Sequence, residues 1–191
     1  MPEIEIENKY RISKSQYDSI RGFAEANGIV PTTENHEDRY FSPLEDDFLT
    51  EKFPFKWLSV RTRNSKSIIN FKHFYPEGAE KHTHAVEYEV SIDSAEEITG
   101  VFRELDIDQR VCVRKTRTQF KFKEYKICLD EVEGLGFFLE VELSAPDKDA
   151  EGAKKEIHEF ASEFGVSSRQ QDFRGYPFLL LDDANKDQDL E

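Results

Sequence analysis

Residues 3–12, Glu-Ile-Glu-Ile-Glu-Asn-Lys-Tyr-Arg-Ile, alternate charged and mostly apolar side chains. A period of two is the signature of a β-strand, because successive side chains point to opposite faces. Ile4, Ile6, Tyr10 and Ile12 fall on one face; Glu3, Glu5, Glu7, Lys9 and Arg11 fall on the other. Same-face neighbours on a strand stand about 7 Å apart, so carboxylates followed by an ammonium are spaced to hold a cation and a phosphate. A solvated outer face would carry the same pattern, and the remaining strands bear on the choice.

Ser13 reads as the N-cap of a helix reaching Asn27, with Tyr17, Ile20, Phe23 and Ala24 on its apolar stripe and Gly28 as its stop. Asp38–Phe41 reads as a short strand, followed by an acidic loop over 42–52. Phe55–Arg63 and Ile68–Phe74 form a hairpin around Asn64-Ser65-Lys66. Ala85–Ile92 is a further strand, after which Asp93 or Ser94 caps a helix to Leu105. Val111–Phe122 and Tyr125–Asp130 make a second hairpin, and Gly134-Leu135-Gly136 turns into the strand Phe137–Leu143. That Gly-Leu-Gly lacks both GxGxxG spacing and a following helix, so it reads as a turn rather than a phosphate loop. A helix over Lys148–Phe164 ends at Gly165, a short apolar helix covers Pro177–Leu181, and residues 182–191 read as an acidic, disordered tail. About eight strands and four helices with short, hairpin-like connections predict an α+β fold on an antiparallel sheet. The length of 191 residues predicts one domain, over residues 1–181.

A net charge of −14 repels nucleic acid and anionic membrane, which argues against a duplex-binding or membrane role. No apolar run approaches the ~20 residues needed to span a bilayer, and no basic-then-apolar leader opens the chain; the expectation is a soluble, cytoplasmic protein. Cys112 and Cys128 form no CxxC and lie in strand-like stretches, as buried free thiols of a reducing compartment do. His82 and His84 flank Thr83 and could ligate a metal from one strand face; a strand-end pair with no metal role reads the same way.

The charged-and-apolar pattern of the first strand recurs along the chain. Arg61 and Arg63 share a parity opposite Leu58, Val60 and Thr62, and Asn70 and Lys72 share one opposite Ile69 and Phe71. Glu87 and Glu89 lie opposite Val86, Tyr88 and Val90; Lys115 and Arg117 share a face with Gln119. Asp130 shares parity with Lys126 and Cys128, and Glu140 and Glu142 lie opposite Leu139, Val141 and Leu143. Glu5-Ile6-Glu7, Glu87-Tyr88-Glu89 and Glu140-Val141-Glu142 echo one another, each on a strand that runs into a helix. A flat sheet with helices on its apolar side would satisfy this pattern, and so would a closed barrel with a polar lumen.

Composition favours the lumen, because carboxylates concentrate on some strands and Arg/Lys pairs on others. Opposed acidic and basic walls suit a polyphosphate with its divalent metal: carboxylate oxygens hold Mg2+ or Mn2+, while arginine forks and lysine point charges hold phosphate. Trp57 shares parity with Arg61, where it packs or stacks on a base.

Glu5-Ile6-Glu7-Asn8-Lys9 resembles the N-terminal ExExK signature of the CYTH superfamily, the triphosphate tunnel metalloenzymes. Further landmarks follow in the order of that family: Asp38-Arg39-Tyr40-Phe41, the Arg61/Arg63 strand, Lys72, the Glu87/Glu89 strand, Lys115-Thr116-Arg117, Leu129 to Gly136, and Glu140-Val141-Glu142. The segment from Lys115 through Glu142 looks most like the class IV adenylyl cyclase branch. The resemblance implies a closed eight-stranded antiparallel tunnel barrel with helices packed outside, binding a triphosphate and Mg2+ or Mn2+. It implies Glu5, Glu7, Glu140 and Glu142 as metal ligands and Lys9, Arg61, Arg63, Lys72, Lys115 and Arg117 as triphosphate contacts. Glu5, Glu7 and Lys9 would serve catalysis, and Glu87, Glu89 and Asp130 would be lumen acids without an assigned role. Ala85 departs from the arginine many members carry there, and the His-Phe lead-in of some bacterial cyclases is absent. The implied activity is cyclisation of ATP to cyclic AMP and pyrophosphate; the alternative is hydrolysis of inorganic, thiamine or nucleoside triphosphate. A polyphosphate- or nucleotide-binding module without turnover would be expected to lose the metal carboxylates, and these are present.

Overall fold

The computed structural model of the protein describes residues 6–64, 66–80, 84–143 and 150–188. The elements follow as β1 (Ile6–Ile12), α1 (Lys14–Ala26), β2 (Thr32–Pro43), β3 (Lys56–Arg63), β4 (Lys66–Tyr75), β5 (His84–Ile92), α2 (Ala95–Glu104), β6 (Ile107–Phe122), β7 (Tyr125–Val132), β8 (Gly136–Leu143), α3 (Ala150–Ser162) and α4 (Tyr176–Gln188). The strands form an eight-stranded sheet in the order β1-β8-β7-β6-β2-β3-β4-β5, antiparallel in the pairings β1/β8, β8/β7, β7/β6, β2/β3, β3/β4 and β4/β5. This is the expected α+β fold. The closed barrel goes beyond it: among the described residues the order ends on β1 and β5, with no pairing joining them. β1 is described only from Ile6 and β5 only from His84.

The chain divides into two compact units, Met1–Glu34 with Lys115–Phe173, and Asn35–Arg114 with Arg174–Glu191. Each has its own core. In the first, α1 and α3 cover the apolar face of β1, β8 and β7, burying Ile20, Ala24, Ile157 and Ala161 against Tyr10, Ile127, Leu139 and Val141. In the second, Phe41, Val60, Ala95 and Phe102 form the buried centre, with Leu58, Ile69, Ile98 and Ile107 packed on it. The apolar side of β5 lies outside this core. Val86, Tyr88 and Val90 are exposed, because this core centres on β3 and α2 and β5 ends the sheet.

The helix boundaries follow local chemistry. Ser13 and Gln16 form a reciprocal capping box, with the Gln16 amide donating to Ser13 Oγ at 3.2 Å and the Ser13 amide to Gln16 Oε1 at 2.9 Å. α1 stops at Gly28, whose φ of 70° lets its amide reach Glu25 O (3.0 Å) and that of Ile29 reach Ala24 O (2.9 Å). A side chain in this left-handed region costs about 1–2 kcal/mol, so Gly28→Ala is expected to lower stability by about 1 kcal/mol in urea unfolding; an unchanged midpoint would contradict it. Ser94 caps α2 by accepting from the Glu97 amide at 3.1 Å. The three strands of the carboxylate echo do each lead into a helix: β1 into α1, β5 into α2 and β8 into α3.

Several elements outrun the sequence reading. β2 begins at Thr32 and β6 at Ile107, directly after Asp106 turns the chain at φ 56°. α4 continues past Leu181 to Gln188, into the segment expected as a disordered tail. That stretch lacks proline and glycine, so nothing in it breaks the helical ladder. Gly134 (φ 78°) and Gly136 (φ 90°) form the expected turn between β7 and β8. Among the described residues no helix is long and apolar enough to cross a membrane.

Candidate functional site

In the first unit, strand register brings the predicted residues onto one face. Glu7 stands opposite Glu142 and Lys9 opposite Glu140 across β1/β8; Lys126 faces Glu142 and Cys128 faces Glu140 across β7/β8; Arg117 faces Asp130 across β6/β7. The centre is Asp130, 0 % exposed. Lys115 Nζ reaches its Oδ2 at 2.9 Å, and Arg117 Nε reaches its Oδ1 at 2.7 Å. Arg117 also bonds Glu140, and Lys126 Nζ bonds Glu142 Oε2 at 2.6 Å.

Burial opposes ionisation of Asp130, but the Arg117 hydrogen bonds and the charges of Lys115 and Arg117 outweigh it and hold the carboxyl at about 2. Its depressed pKa makes the carboxylate stabilising above the unfolded value of about 3.9, and that stability disappears as pH falls through about 2. The urea midpoint is therefore expected to drop between pH 4 and pH 2, and Asp130→Asn to flatten that drop; equal slopes in both proteins would contradict it. Lys9 belongs to the same cluster. Burial lowers its pKa, against Glu140, Asp172 and Glu7, which raise it, while Lys115 lies near enough to lower it further.

The second unit repeats the arrangement with other residues. Asp38 faces Arg61 across β2/β3, Ser59 faces Asn70 across β3/β4, and Lys72 faces Glu87 across β4/β5. Lys72 Nζ lies 3.1 Å from Glu87 Oε1, Arg61 Nη1 lies 3.7 Å from Glu89 Oε1, and Arg63 pairs with the buried Asp38. Asn70, 1 % exposed, donates its amide to Glu87 at 2.6 Å and Glu89 at 3.0 Å. Burial would raise the Glu87 pKa, yet the Asn70 bond and Lys72 lower it on balance.

Within each unit most of the acids lie beside a cation on the neighbouring strand, an arrangement that stabilises the pairing; Glu7 opposite Glu142 is the exception. Lys115, Arg117, Asp130, Glu140 and Lys9 are brought together in the first unit, and Arg61, Lys72, Glu87 and Glu89 in the second. Sequence reasoning left Asp38, Tyr40 and Lys126 out of the site, although their strand parity was readable. Burial, with Asp38 nearby, pushes the Tyr40 phenol up to about 12, against Arg61 and Arg63, which lower it.

Glu5 and His82, both singled out in the sequence, lie outside the described residues. Among the described residues no group of three or more His, Cys, Asp or Glu side chains gathers around a metal position. Both thiols are free, Cys128 buried and Cys112 half-buried; burial pushes Cys128 up to about 11, so it is an inert thiol at neutral pH.

The model of the CYTH domain family matches residues 3–176. Adenylate cyclase CyaB of Aeromonas hydrophila is 26% identical over 177 residues, which is 92% of this chain and 87% of that protein. A Methanocaldococcus jannaschii protein provisionally named an adenylate cyclase is 30% identical over 111 residues, 58% of this chain; the match spans only 61% of that relative's length. Among solved structures, the PH1819 protein of Pyrococcus horikoshii shares the fold with a TM-score of 0.73 at 27% identity, covering 94% of this chain and 99% of that one. The described strands that carry the paired cations and carboxylates all lie inside the matched span, and this chain belongs to the CYTH domain family.

Proposed function

We propose that this chain is a divalent-metal-dependent enzyme acting on a triphosphate, converting ATP to cyclic AMP and pyrophosphate. The clustering of Lys9, Lys115 and Arg117 around Asp130 and Glu140 carries this reading. Cations held in place by buried carboxylates need no reorganisation when a polyanion arrives. In this reading Arg61, Arg63 and Lys72 are a second set of cations able to pair with phosphate. Closure of the strands into the tunnel implied by the family resemblance belongs to the same proposal.

Glu7 and Glu142 face each other in register, an opposition of like charges that is unfavourable and that Mg2+ or Mn2+ would relieve. Glu140 and Glu5 would complete the ligand set. When bound, the ion supplies positive charge that neutralises phosphate oxygens around the reacting phosphorus. In the cyclisation the ribose 3′-oxygen bonds to the α-phosphorus, the bond from that phosphorus to the bridging oxygen breaks, pyrophosphate leaves, and the hydroxyl proton passes to solvent. Lys115 and Arg117 offset the charge that grows on the departing pyrophosphate, and Lys9 orients the phosphate chain from the same face.

A second reading is a triphosphatase, in which water attacks the terminal phosphorus and orthophosphate leaves. It is favoured by the chemistry of the cation sets, which recognise phosphate whatever it is attached to. The test is incubation with ATP, inorganic triphosphate and thiamine triphosphate, each with Mg2+ or Mn2+. Cyclic AMP with pyrophosphate supports the first reading and orthophosphate the second; no product from any substrate contradicts both.

A further inference from the structure

Among the described residues β1 ends the sheet order, with β8 as its strand neighbour. A strand in that place presents an edge of backbone groups that need other partners. In the first unit these partners come from Gln170, Gln171 and Asp172, a strap that follows α3. The Asp172 amide donates to Lys9 O at 2.9 Å, and Gln170 Nε2 donates to Arg11 O at 3.0 Å. Lys9 and Arg11 are two residues apart, so both carbonyls lie on one edge of the strand. Between them Gln171 forms an antiparallel bridge with Tyr10.

The strap also reaches the core side of β1. Asn8 shares parity with Ile6 and Tyr10 and is 4 % exposed. Its Oδ1 accepts from Gln171 Nε2 at 3.0 Å, while its Nδ2 donates to Lys154 O at 3.0 Å and to the Tyr10 hydroxyl at 3.1 Å. A buried amide is costly unless it is bonded, and the Asn8 amide is bonded at both its polar atoms. It is flanked in the chain by Glu7 and Lys9, whose side chains point to the opposite, charged face. The charge of Asp172 acts on Lys9 as well, beside those of Glu140 and Glu7.

We propose that this strap is a positioning element of the triphosphate site, and that Gln171, acting through Asn8, fixes the direction in which Lys9 meets the phosphate chain. The proposal rests on the triphosphate chemistry given above and adds to it a residue outside the charged strand faces. The β8 ladder holds one edge of β1 and the strap holds the other, which fixes the pleat over residues 8–11. Without the Gln171 bond the Asn8 amide loses its acceptor-side partner and the aim of Lys9 loosens. Lys115 and Arg117 stand on β6 and keep their hold on phosphate. The loss therefore falls on orientation for reaction rather than on affinity.

Gln171→Ala removes the donor, and Gln171→Glu keeps the length of the side chain while replacing the donor with an acceptor. Steady-state turnover of ATP, inorganic triphosphate and thiamine triphosphate is measured for the wild-type protein, both Gln171 variants, Asn8→Ala and the double variant Gln171→Ala/Asn8→Ala, with urea unfolding of each. Both Gln171 variants are expected to lower kcat about ten-fold while KM stays within about two-fold. The double variant is expected to lose no more than the larger single loss, because both substitutions break the same bond. A merely structural brace would shift the urea midpoint and leave kcat at the wild-type value, which overturns the proposal. A rise in KM with kcat unchanged, or losses that multiply in the double variant, overturns it too. Where Gln171→Ala fails to fold, Gln171→Glu carries the test; if neither folds, the strap is a brace and the positioning role is overturned. If the wild-type protein converts none of the three substrates, the triphosphate reading itself falls and takes the positioning role with it.

Discussion

Replacing Asp130 with alanine is expected to destabilise the protein by about 3–5 kcal/mol, the range for breaking a buried ion pair by removing one partner. Asp130 is fully buried and accepts from both Lys115 and Arg117. Its loss leaves two cations, themselves largely buried, with less counter-charge: Arg117 keeps Glu140, while the bonds of both to Asp130 are gone. The cost therefore comes from stranded positive charge more than from lost packing. Asp130→Asn retains the shape and one acceptor oxygen and is expected to cost less than the alanine variant. Urea unfolding at pH 7 decides the matter; a loss below about 1 kcal/mol in Asp130→Ala, the scale of an exposed ion pair, would show that the cations escape to water and that Asp130 is not their anchor.

Glu7→Gln is expected to reduce divalent-dependent turnover by on the order of 10²-fold or more, the scale for removing one preorganised electrostatic group from a reacting centre, while the fold stays intact. Glu7 is exposed on β1 and directly opposes Glu142. Neutralising Glu7 removes its repulsion with Glu142 and its attraction to Lys9 together, so stability is expected to stay within about 0.5 kcal/mol. Loss of turnover without loss of stability separates a role in the reaction from a structural one. Full activity in Glu7→Gln, measured with both Mg2+ and Mn2+, would remove Glu7 from the metal assignment.

The contrast between these residues shows what could be read from the sequence. Parity alone put Glu7, Lys9, Lys115, Arg117 and Glu140 on charged faces, and strand pairing places them there. Parity says which way a side chain points and nothing about which strand lies beside it. The neighbour is set by non-local pairing, so the bond of Asp130 to Lys115 and Arg117, the Lys126–Glu142 bond and the Arg63–Asp38 pair emerged only from the register. Local signals did better at element ends: the Ser13–Gln16 box and the stop at Gly28 are determined by contacts within one turn. Strand starts such as Thr32 and Ile107 carry no such punctuation, and their polar residues hid them.

The central claim is that the cations of these strand faces hold a triphosphate. Calorimetric titration of inorganic triphosphate into the wild-type protein, Arg61→Ala and Lys115→Ala tests it without requiring turnover. Saturable one-to-one binding that each substitution weakens by about 1–3 kcal/mol, the value of a charged hydrogen bond, is the predicted result. Absence of saturable binding in the wild-type protein, or equal affinity in all three, would contradict it.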